Sequence, residues 1–539
     1  MIKTHTLGFP RIGENRELKF ALEDYWRGDA SEESLQATAS TLRLKHWKAQ
    51  IDSGLDFITV GDFSFYDQMA DHIQLLGCEP QRFAFANEQA PLQRYFTMVR
   101  GKAENHGGCN HAHGSSAHGL HPQETHALEM TKWFDTNYHY MVPEFTASTA
   151  FKAHTASLVE QIEQAKTLNH PIKVSLIGPL TFLFQGKSKQ AGFDQLHLLD
   201  QLLPVYGQIL SELKTHGIEW LQLDEPILGL DLPANYLAAF ERSYLQLKTS
   251  GVKILLATYF STTQGHTSPV CKLPVDGLHL DCVRAGEDLP LVLDWLPNYK
   301  VLSLGLIDGR NIWKTDLQEA LNQIAKAFDA GKGEVWLAPS CSLLHVPYQF
   351  GNDNTVNPLV KPWLAGAIEK LEELELLKQA SKTQLQGKAL SGVLATVWHE
   401  HQSVVKQRAN SPLLNNPEVK ARLAALAPKA DQRLSEFAVR QTKQRERFNL
   451  PAYPTTTIGS FPQTKTIRNL RARFKKNEMD EKTYWQHISQ EIRQAIEFQE
   501  RIGLDVLVHG EAERNDMVEY FGEQLEGFTF SANGWVQSY

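Results

Sequence analysis

The sequence predicts an α/β protein built as a (β/α)8 barrel, followed by a helical connector and the incomplete start of a second, duplicated (β/α)8 barrel. Three observations lead there. Eight short apolar runs alternate with longer amphipathic segments through the first 350 residues. A stretch with helical spacing and no strand pattern follows. Beyond it, two blocks of the opening return in the same order.

The eight runs are Thr6-Leu7-Gly8-Phe9, Leu55 to Val60, Val174 to Ile177, Trp220 to Leu223, Ile254 to Thr258, Leu278 to Asp281, Leu302 to Ile307 and Val335 to Ala338. Their interiors are rich in Val, Ile and Leu with little alternation, as expected of parallel strands covered on both faces. The segments between them carry helical spacing. Leu35, Ala39, Leu42 and His46 share one face, and Gly54 beyond them is a stop signal. Eight such units predict a barrel over residues 1–357, with its ligand site at the carboxyl ends of the strands. An open doubly wound sheet is the alternative; the lack of a Gly-x-Gly-x-x-Gly phosphate turn argues against it.

Across 358–450, helical stretches such as Trp363 to Gln379 and Val419 to Phe448 replace the strands. The second is dense in Arg, Lys, Glu and Gln, which predicts a connector with a mainly solvated face. At 451–539 the opening style resumes. Thr457-Ile458-Gly459-Ser460-Phe461-Pro462 echoes Thr6-Leu7-Gly8-Phe9-Pro10, and the block Gly503 to Glu511 echoes Gly54 to Asp62 with the same Gly-to-acid spacing. Only two strands of a second barrel fit before Tyr539, and two βα units leave edges that closure would satisfy.

Composition narrows the function classes. The 539 residues are 42% hydrophobic and 22% charged, ordinary for a soluble globular protein. A net charge of -8 gives no reason to expect nucleic-acid binding, so any anionic ligand needs a local basic cluster. The start, Met1-Ile2-Lys3-Thr4-His5, lacks the apolar core of a secretory signal, and no run of 18 apolar residues spans a membrane. Cys78, Cys109, Cys271, Cys282 and Cys341 are scattered and odd in number, which fits reduced thiols in a cytoplasmic protein.

Several groups of residues are candidates for chemistry. Arg11, Arg16 and Lys19 follow the first run; such cations suit a ligand with several carboxylates, and a solvated first helical turn explains them as well. Asp224-Glu225-Pro226 ends a strand, where acids bind an amine, act as a base, cap a helix or form a structural ion pair. Ile458-Gly459-Ser460 and Glu511 end the two runs of the second barrel. A hydroxyl and backbone N–H groups there suit a carboxylate, and Glu511 suits an ammonium group, so together they suit an α-amino acid. Arg514, Asn515 and Asp516 follow as groups able to orient Glu511.

Residues 105–126 gather His106, His111, His113, His118, His121, His126 and Cys109 among glycines. Their spacing is irregular, which predicts a flexible loop with weak metal affinity, metal buffering being the alternative. In His279-Leu280-Asp281-Cys282 only His279 and Asp281 face one way, and core packing is the simpler account; the same holds for Cys341 and His345. An unrelated barrel metalloenzyme using His279, Asp281 and the His-rich loop is the rival reading.

Long blocks in fixed order resemble one family. They are Thr6 to Gly13, Met130-Thr131-Lys132-Trp133-Phe134 with Thr136 to Tyr140, Asp224-Glu225-Pro226, Thr457 to Pro462 and His509 to Met517. They are similar to cobalamin-independent methionine synthase, the 5-methyltetrahydropteroyltriglutamate–homocysteine S-methyltransferase, over essentially the whole chain except the His-rich loop. The resemblance implies two TIM barrels formed by duplication with the active site between them, no cobalamin, and a zinc ion. It implies Arg16, Glu17, Leu18, Lys19 and Lys132 as contacts to the folate polyglutamate tail. Ile458, Gly459, Ser460 and Glu511 are implied as the L-homocysteine site. The partners implied are 5-methyltetrahydropteroyltri-L-glutamate and L-homocysteine, with no nucleic acid, no membrane and a monomeric state.

The family's zinc ligands (His, Cys, Glu and Cys) and its proton-donating His lie in later strands of the second barrel. No metal ligand or catalytic residue is therefore expected in this chain. A thiol with a pKa near about 8.5 attacks as thiolate, and zinc favours that form. The expectation is a C-terminally truncated chain without turnover of its own, with a non-catalytic folate-polyglutamate binder as the alternative.

Overall fold

The structure is a computed structural model that describes residues 1–86, 88–101, 126–263 and 265–532. The His-rich segment therefore lies outside the described residues except for His126. Two compact units are present: Met1–Arg408 with residues from Ser531 onward, and Ala409–Phe530. Among the described residues no helix is long and apolar enough to cross a membrane.

In the first unit, eight strands share one sheet. They are β1 (Ile2–Thr4), β2 (Ile58–Val60), β3 (Ile172–Ile177), β4 (Trp220–Asp224), β5 (Lys253–Thr258), β6 (Gly277–Asp281), β7 (Val301–Ile307) and β8 (Val335–Pro339). Every pairing is parallel, and the spatial order is β1-β8-β7-β6-β5-β4-β3-β2. The two end strands meet. The Thr4 carbonyl accepts from the Asp56 and Phe57 N–H groups at 3.1 and 3.3 Å. Asp56 Oδ2 accepts from the Thr4 N–H at 2.7 Å and from its hydroxyl at 3.0 Å. Higher up, the Thr59 hydroxyl donates to the Thr6 carbonyl at 2.9 Å. These bonds join the two end strands and close the sheet into a barrel.

Seven strands fall on the apolar runs of the sequence; the first does not. Thr6-Leu7-Gly8-Phe9 is a loop beyond β1, because its backbone is used elsewhere. The Phe9 N–H donates to Asp62 Oδ2 at 2.8 Å, and the Gly8 carbonyl accepts from Leu343. Pro10 has no N–H to continue a ladder.

The barrel interior is filled in layers, as a packed core rather than a pore. The lowest is apolar: Phe57, Trp220, Leu255, Val301 and Trp336, with Trp220 and Phe57 rings 4.6 and 4.8 Å from Trp336. Above it a polar layer is bonded internally. The Ser303 hydroxyl bridges His5 Nε2 at 2.8 Å and His279 Nδ1 at 2.9 Å. Outside the strands, the helix Glu32–Asp52 buries Leu35, Ala39, Leu42 and His46, the predicted face, and starts on a Ser31 cap. Gly54 follows with φ +82°, a conformation suited to glycine.

The predicted connector is not one piece. Its first helix, Ala367–Leu385, buries Leu371, Leu374, Leu377 and Ala380 in the main barrel core. Three leucines at helical spacing give it an apolar stripe that only the barrel wall covers. The stretch Val419 to Phe448 forms two helices, Pro417–Ala424 and Phe437–Phe448, neither with a buried residue. Pro428 lies in the break, where a missing N–H disfavours a continuous helix.

The second unit packs Lys465–Lys475 against Glu481–Ile502 around Ile467, Leu470, Met479, Tyr484, Ile488 and Ala512. Its two expected strands form one parallel bridge, Ser460 to Gly510. The bonding nevertheless repeats that of the first unit. Asp505 Oδ2 accepts from the Thr455 N–H and hydroxyl, both at 2.8 Å, as Asp56 does from Thr4. Gln499 Oε1 accepts from the Val508 N–H at 2.8 Å, as Gln50 Oε1 does from Thr59 at 3.0 Å. The sequence echo is thus an echo of hydrogen bonds.

Replacing Trp336 by Ala empties the centre of the lowest layer. We expect a loss of about 3–5 kcal/mol in the unfolding of the first unit, read from denaturant titration; an unchanged midpoint would contradict the layered core.

Candidate functional site

At the carboxyl ends of the strands, a narrow chamber is lined by Asp62, Asp224, Tyr259, His72, Trp133 and His345, among others. Asp224 accepts from Gln222 Nε2 at 2.6 Å and from the Tyr259 hydroxyl at 3.0 Å. Below it, Lys173 donates to Gln222 Oε1. Burial dominates all three charges of this group. It pushes Asp62 up to about 6, raises Asp224 and lowers Lys173, while the attraction between lysine and carboxylates opposes each shift.

Asp224 and Glu225 turn out to differ in task. Glu225 accepts from the Leu180 and Thr181 N–H groups at 3.2 and 2.7 Å, from the Thr181 hydroxyl at 2.5 Å and from Tyr244 at 3.1 Å. It caps the helix Pro179–Phe184, so the capping reading holds for Glu225. Asp224 alone faces the chamber.

The basic cluster also separates. Arg11 is buried and donates to the carbonyls of Ser64, Phe65 and Tyr66 at 3.3, 3.1 and 2.6 Å, so it is a clamp on the loop after β2 and not a ligand cation. Arg16 stands in the left-handed region at φ 63° and starts the helix Glu17–Arg27. Glu17 Oε2 accepts from the Asn15 N–H at 2.9 Å, and Leu18 is fully buried with its N–H on the Ile12 carbonyl at 3.1 Å. Lys19 lies 3.9 Å from Glu23 on the same helix. Lys132 is exposed on a separate antiparallel hairpin, Met130–Lys132 with His139–Met141.

In the second unit, the structure joins the two ends predicted to form one site. The Ser460 hydroxyl donates to Glu511 Oε2 at 2.8 Å, and Arg514 pairs with the same oxygen. Those bonds, Arg514 first and Ser460 next, hold the Glu511 carboxyl below the usual carboxylate range. Glu511 itself has φ 60°. A Cβ on Gly459 would come within 3.1 Å of Glu511 Oε1, so glycine keeps that oxygen approachable. Ile458 is fully exposed. Of the orienting groups, Arg514 acts directly, whereas Asp516 caps the helix Met517–Gln524.

A zinc ion finds no suitable donors among the described residues, where no group of three or more His, Cys, Asp or Glu converges. His279 is occupied by Ser303 and by the Ser340 carbonyl at 3.2 Å, and Asp281 by the N–H groups of Phe260, Val283 and Arg284. Cys78, Cys271, Cys282 and Cys341 are buried, and burial pushes their thiols up, away from the thiolate that zinc requires.

Comparison with known proteins gives two family matches. The family described as "Cobalamin-independent synthase, N-terminal domain" matches residues 3–330, and "Cobalamin-independent synthase, Catalytic domain" matches residues 453–539. Similar solved structures include a B12-independent methionine synthase from Shewanella sp. W3-18-1 in complex with selenomethionine. It is 14% identical, with 66% of this chain and 92% of that chain covered and a TM-score of 0.45. Another is a putative vitamin-B12-independent methionine synthase from Listeria monocytogenes, 15% identical over 71% of this chain and 98% of that one, with a TM-score of 0.44. The barrel and the two family matches define a methyltransferase of methionine biosynthesis. The chain belongs to the cobalamin-independent methionine synthase family.

Sequence reasoning passed over Lys173 and Tyr259. A lysine inside the apolar run Ile172-Lys173-Val174 was the available signal, since a charge there must be paired.

The buried histidines yield a pH test. Burial lowers His279 to about 4, against an unfolded value near about 6.5. Between these values the unfolded chain binds the extra proton, so this residue costs stability as pH falls through that window. In His279→Gln the fall in unfolding free energy from pH 6.5 to 4 should be shallower by about one proton's worth; parallel curves would contradict the neutral buried ring.

Proposed function

We propose that the methyl donor is 5-methyltetrahydropteroyltri-L-glutamate and the acceptor L-homocysteine, giving L-methionine. The observation that carries this reading is the Ser460–Glu511 contact at 2.8 Å, tightened by Arg514 and opened by Gly459. A carboxylate kept ionised at the end of one run, beside a hydroxyl at the end of the other, matches the ammonium and carboxylate of an α-amino acid. Glu511 pairs with the ammonium group, and Ser460 and Ile458-Gly459 flank the carboxylate.

For the folate tail, the first unit contributes Lys19 and Lys132, with Arg16, Glu17 and Leu18 building the turn from which Lys19 projects. Against a chain with a net charge of -8, a polyanionic tail is held by such local cations. Zinc enters no step here, since the described residues do not fit it. Binding of the folate polyglutamate without turnover is the second reading. The described thiols, buried and unpaired in disulfides, agree with a cytoplasmic location.

Glu511→Gln keeps the shape and removes the charge. We expect the dissociation constant for L-homocysteine to rise by about tenfold in calorimetric titration, with folate binding unchanged. Equal affinity in the variant would remove Glu511 from the site.

A further inference from the structure

Lys132 owes its place to a hairpin that is gripped at its turn from across the barrel mouth. At the base, the Tyr138 hydroxyl donates to Asp67 Oδ1 at 2.6 Å, and the Met141 N–H donates to Asp67 Oδ2 at 2.9 Å. At the turn, Arg310 Nη1 donates to Asp135 Oδ1 at 2.8 Å, and Nη2 donates to the Asp135 carbonyl at 3.2 Å. Arg310 comes from the loop after β7, and its guanidinium lies 5.0 Å from the ring of Phe260, just after β5. Phe134, two residues from Lys132, packs on that same ring at 5.6 Å.

Two features distinguish this clasp from an ordinary surface ion pair, which contributes little. The Arg310 side chain is only 13% exposed and reaches main chain as well as carboxylate. Phe134 and Phe260 hold φ of 53° and 78°, a region that bulky side chains rarely adopt unless their surroundings enforce it. Two separate loops thus converge on one turn while Asp67 holds its base, and the nearest exposed cation on that turn's strand is Lys132.

We propose that Arg310 is a positioning residue for the folate tail, acting through Asp135 and the Phe134–Phe260 ring contact to hold Lys132 where the glutamates pass. This rests on the reading of Lys132 as a tail contact. The consequence is selective. Loss of the clasp lowers affinity for the triglutamyl form and leaves the monoglutamyl form, which lacks the distal carboxylates, nearly untouched.

The test measures binding of triglutamyl and monoglutamyl 5-methyltetrahydrofolate to the full chain by calorimetry, in wild type, Arg310→Ala, Arg310→Lys, Asp135→Ala, Lys132→Ala and the Lys132→Ala/Arg310→Ala double variant. We expect Arg310→Ala to cut the triglutamyl-to-monoglutamyl affinity ratio by about fivefold, with partial recovery in Arg310→Lys. The double variant should fall no further than Lys132→Ala alone, because both act on one contact. Asp135 is 74% exposed in its side chain, so Asp135→Ala gives the same reading should Arg310→Ala not fold. A ratio unchanged in the Arg310 and Asp135 variants while Lys132→Ala lowers it, or additive losses in the double variant, overturns the proposal alone. A ratio unchanged in Lys132→Ala overturns the tail reading and this proposal with it.

Discussion

A parallel sheet of eight strands has two edges until something joins them, and here the joint is Asp56 on Thr4. Its carboxylate takes both the N–H and the hydroxyl of Thr4, and the Thr4 carbonyl takes two N–H groups in return. Lys378, from the helix Ala367–Leu385, lies 3.4 Å from the same carboxylate, so the outer wall is anchored at the seam as well. With the seam shut, inward side chains have no solvent to satisfy them, and the interior must arrange its own bonds. That constraint explains the apolar lowest layer, the Ser303 bridge between two histidines and the Lys173 group near the mouth.

The same joint appears between Asp505 and Thr455, with Gln499 repeating the part of Gln50. What differs is the residue that follows on the carboxyl side. In the first unit Asp62 is half-buried and accepts from the Phe9 N–H. In the second unit the Glu511 side chain is one methylene longer than that of Asp62, faces a serine hydroxyl and stays ionised. One local motif has been used once to complete a packed barrel mouth and once to present a carboxylate. That contrast supports the proposal that the second unit binds the amino acid.

Much of this was legible in the residues. Apolar runs located seven strands because parallel strands buried on both faces cannot alternate, and the doubled Gly-to-acid spacing marked the repeat, though not the seam bonds within it. The first strand was misplaced because Ile2-Lys3-Thr4 alternates: Lys3 folds over Trp336 at 5.7 Å, which no short-range pattern reveals. Arg11 read as a ligand cation because its carbonyl partners lie more than fifty residues away. The helix Ala367–Leu385 read as connector because its charges are visible in sequence, whereas the wall that covers its leucines is tertiary. Asp224 and Glu225, adjacent in the chain, separated only when the helix capped by Glu225 was in place.

The proposed function requires two recognition elements in one chain, tail cations on the first barrel and an amino-acid pair at the Ser460–Glu511 bridge. Hydrogen–deuterium exchange with each ligand in turn tests it most directly. Slowed exchange is expected at 16–19 and 130–134 with triglutamyl folate, and at 458–460 and 509–514 with L-homocysteine. Protection by either ligand concentrated instead around Asp62 and Asp224 at the first barrel's mouth would contradict it.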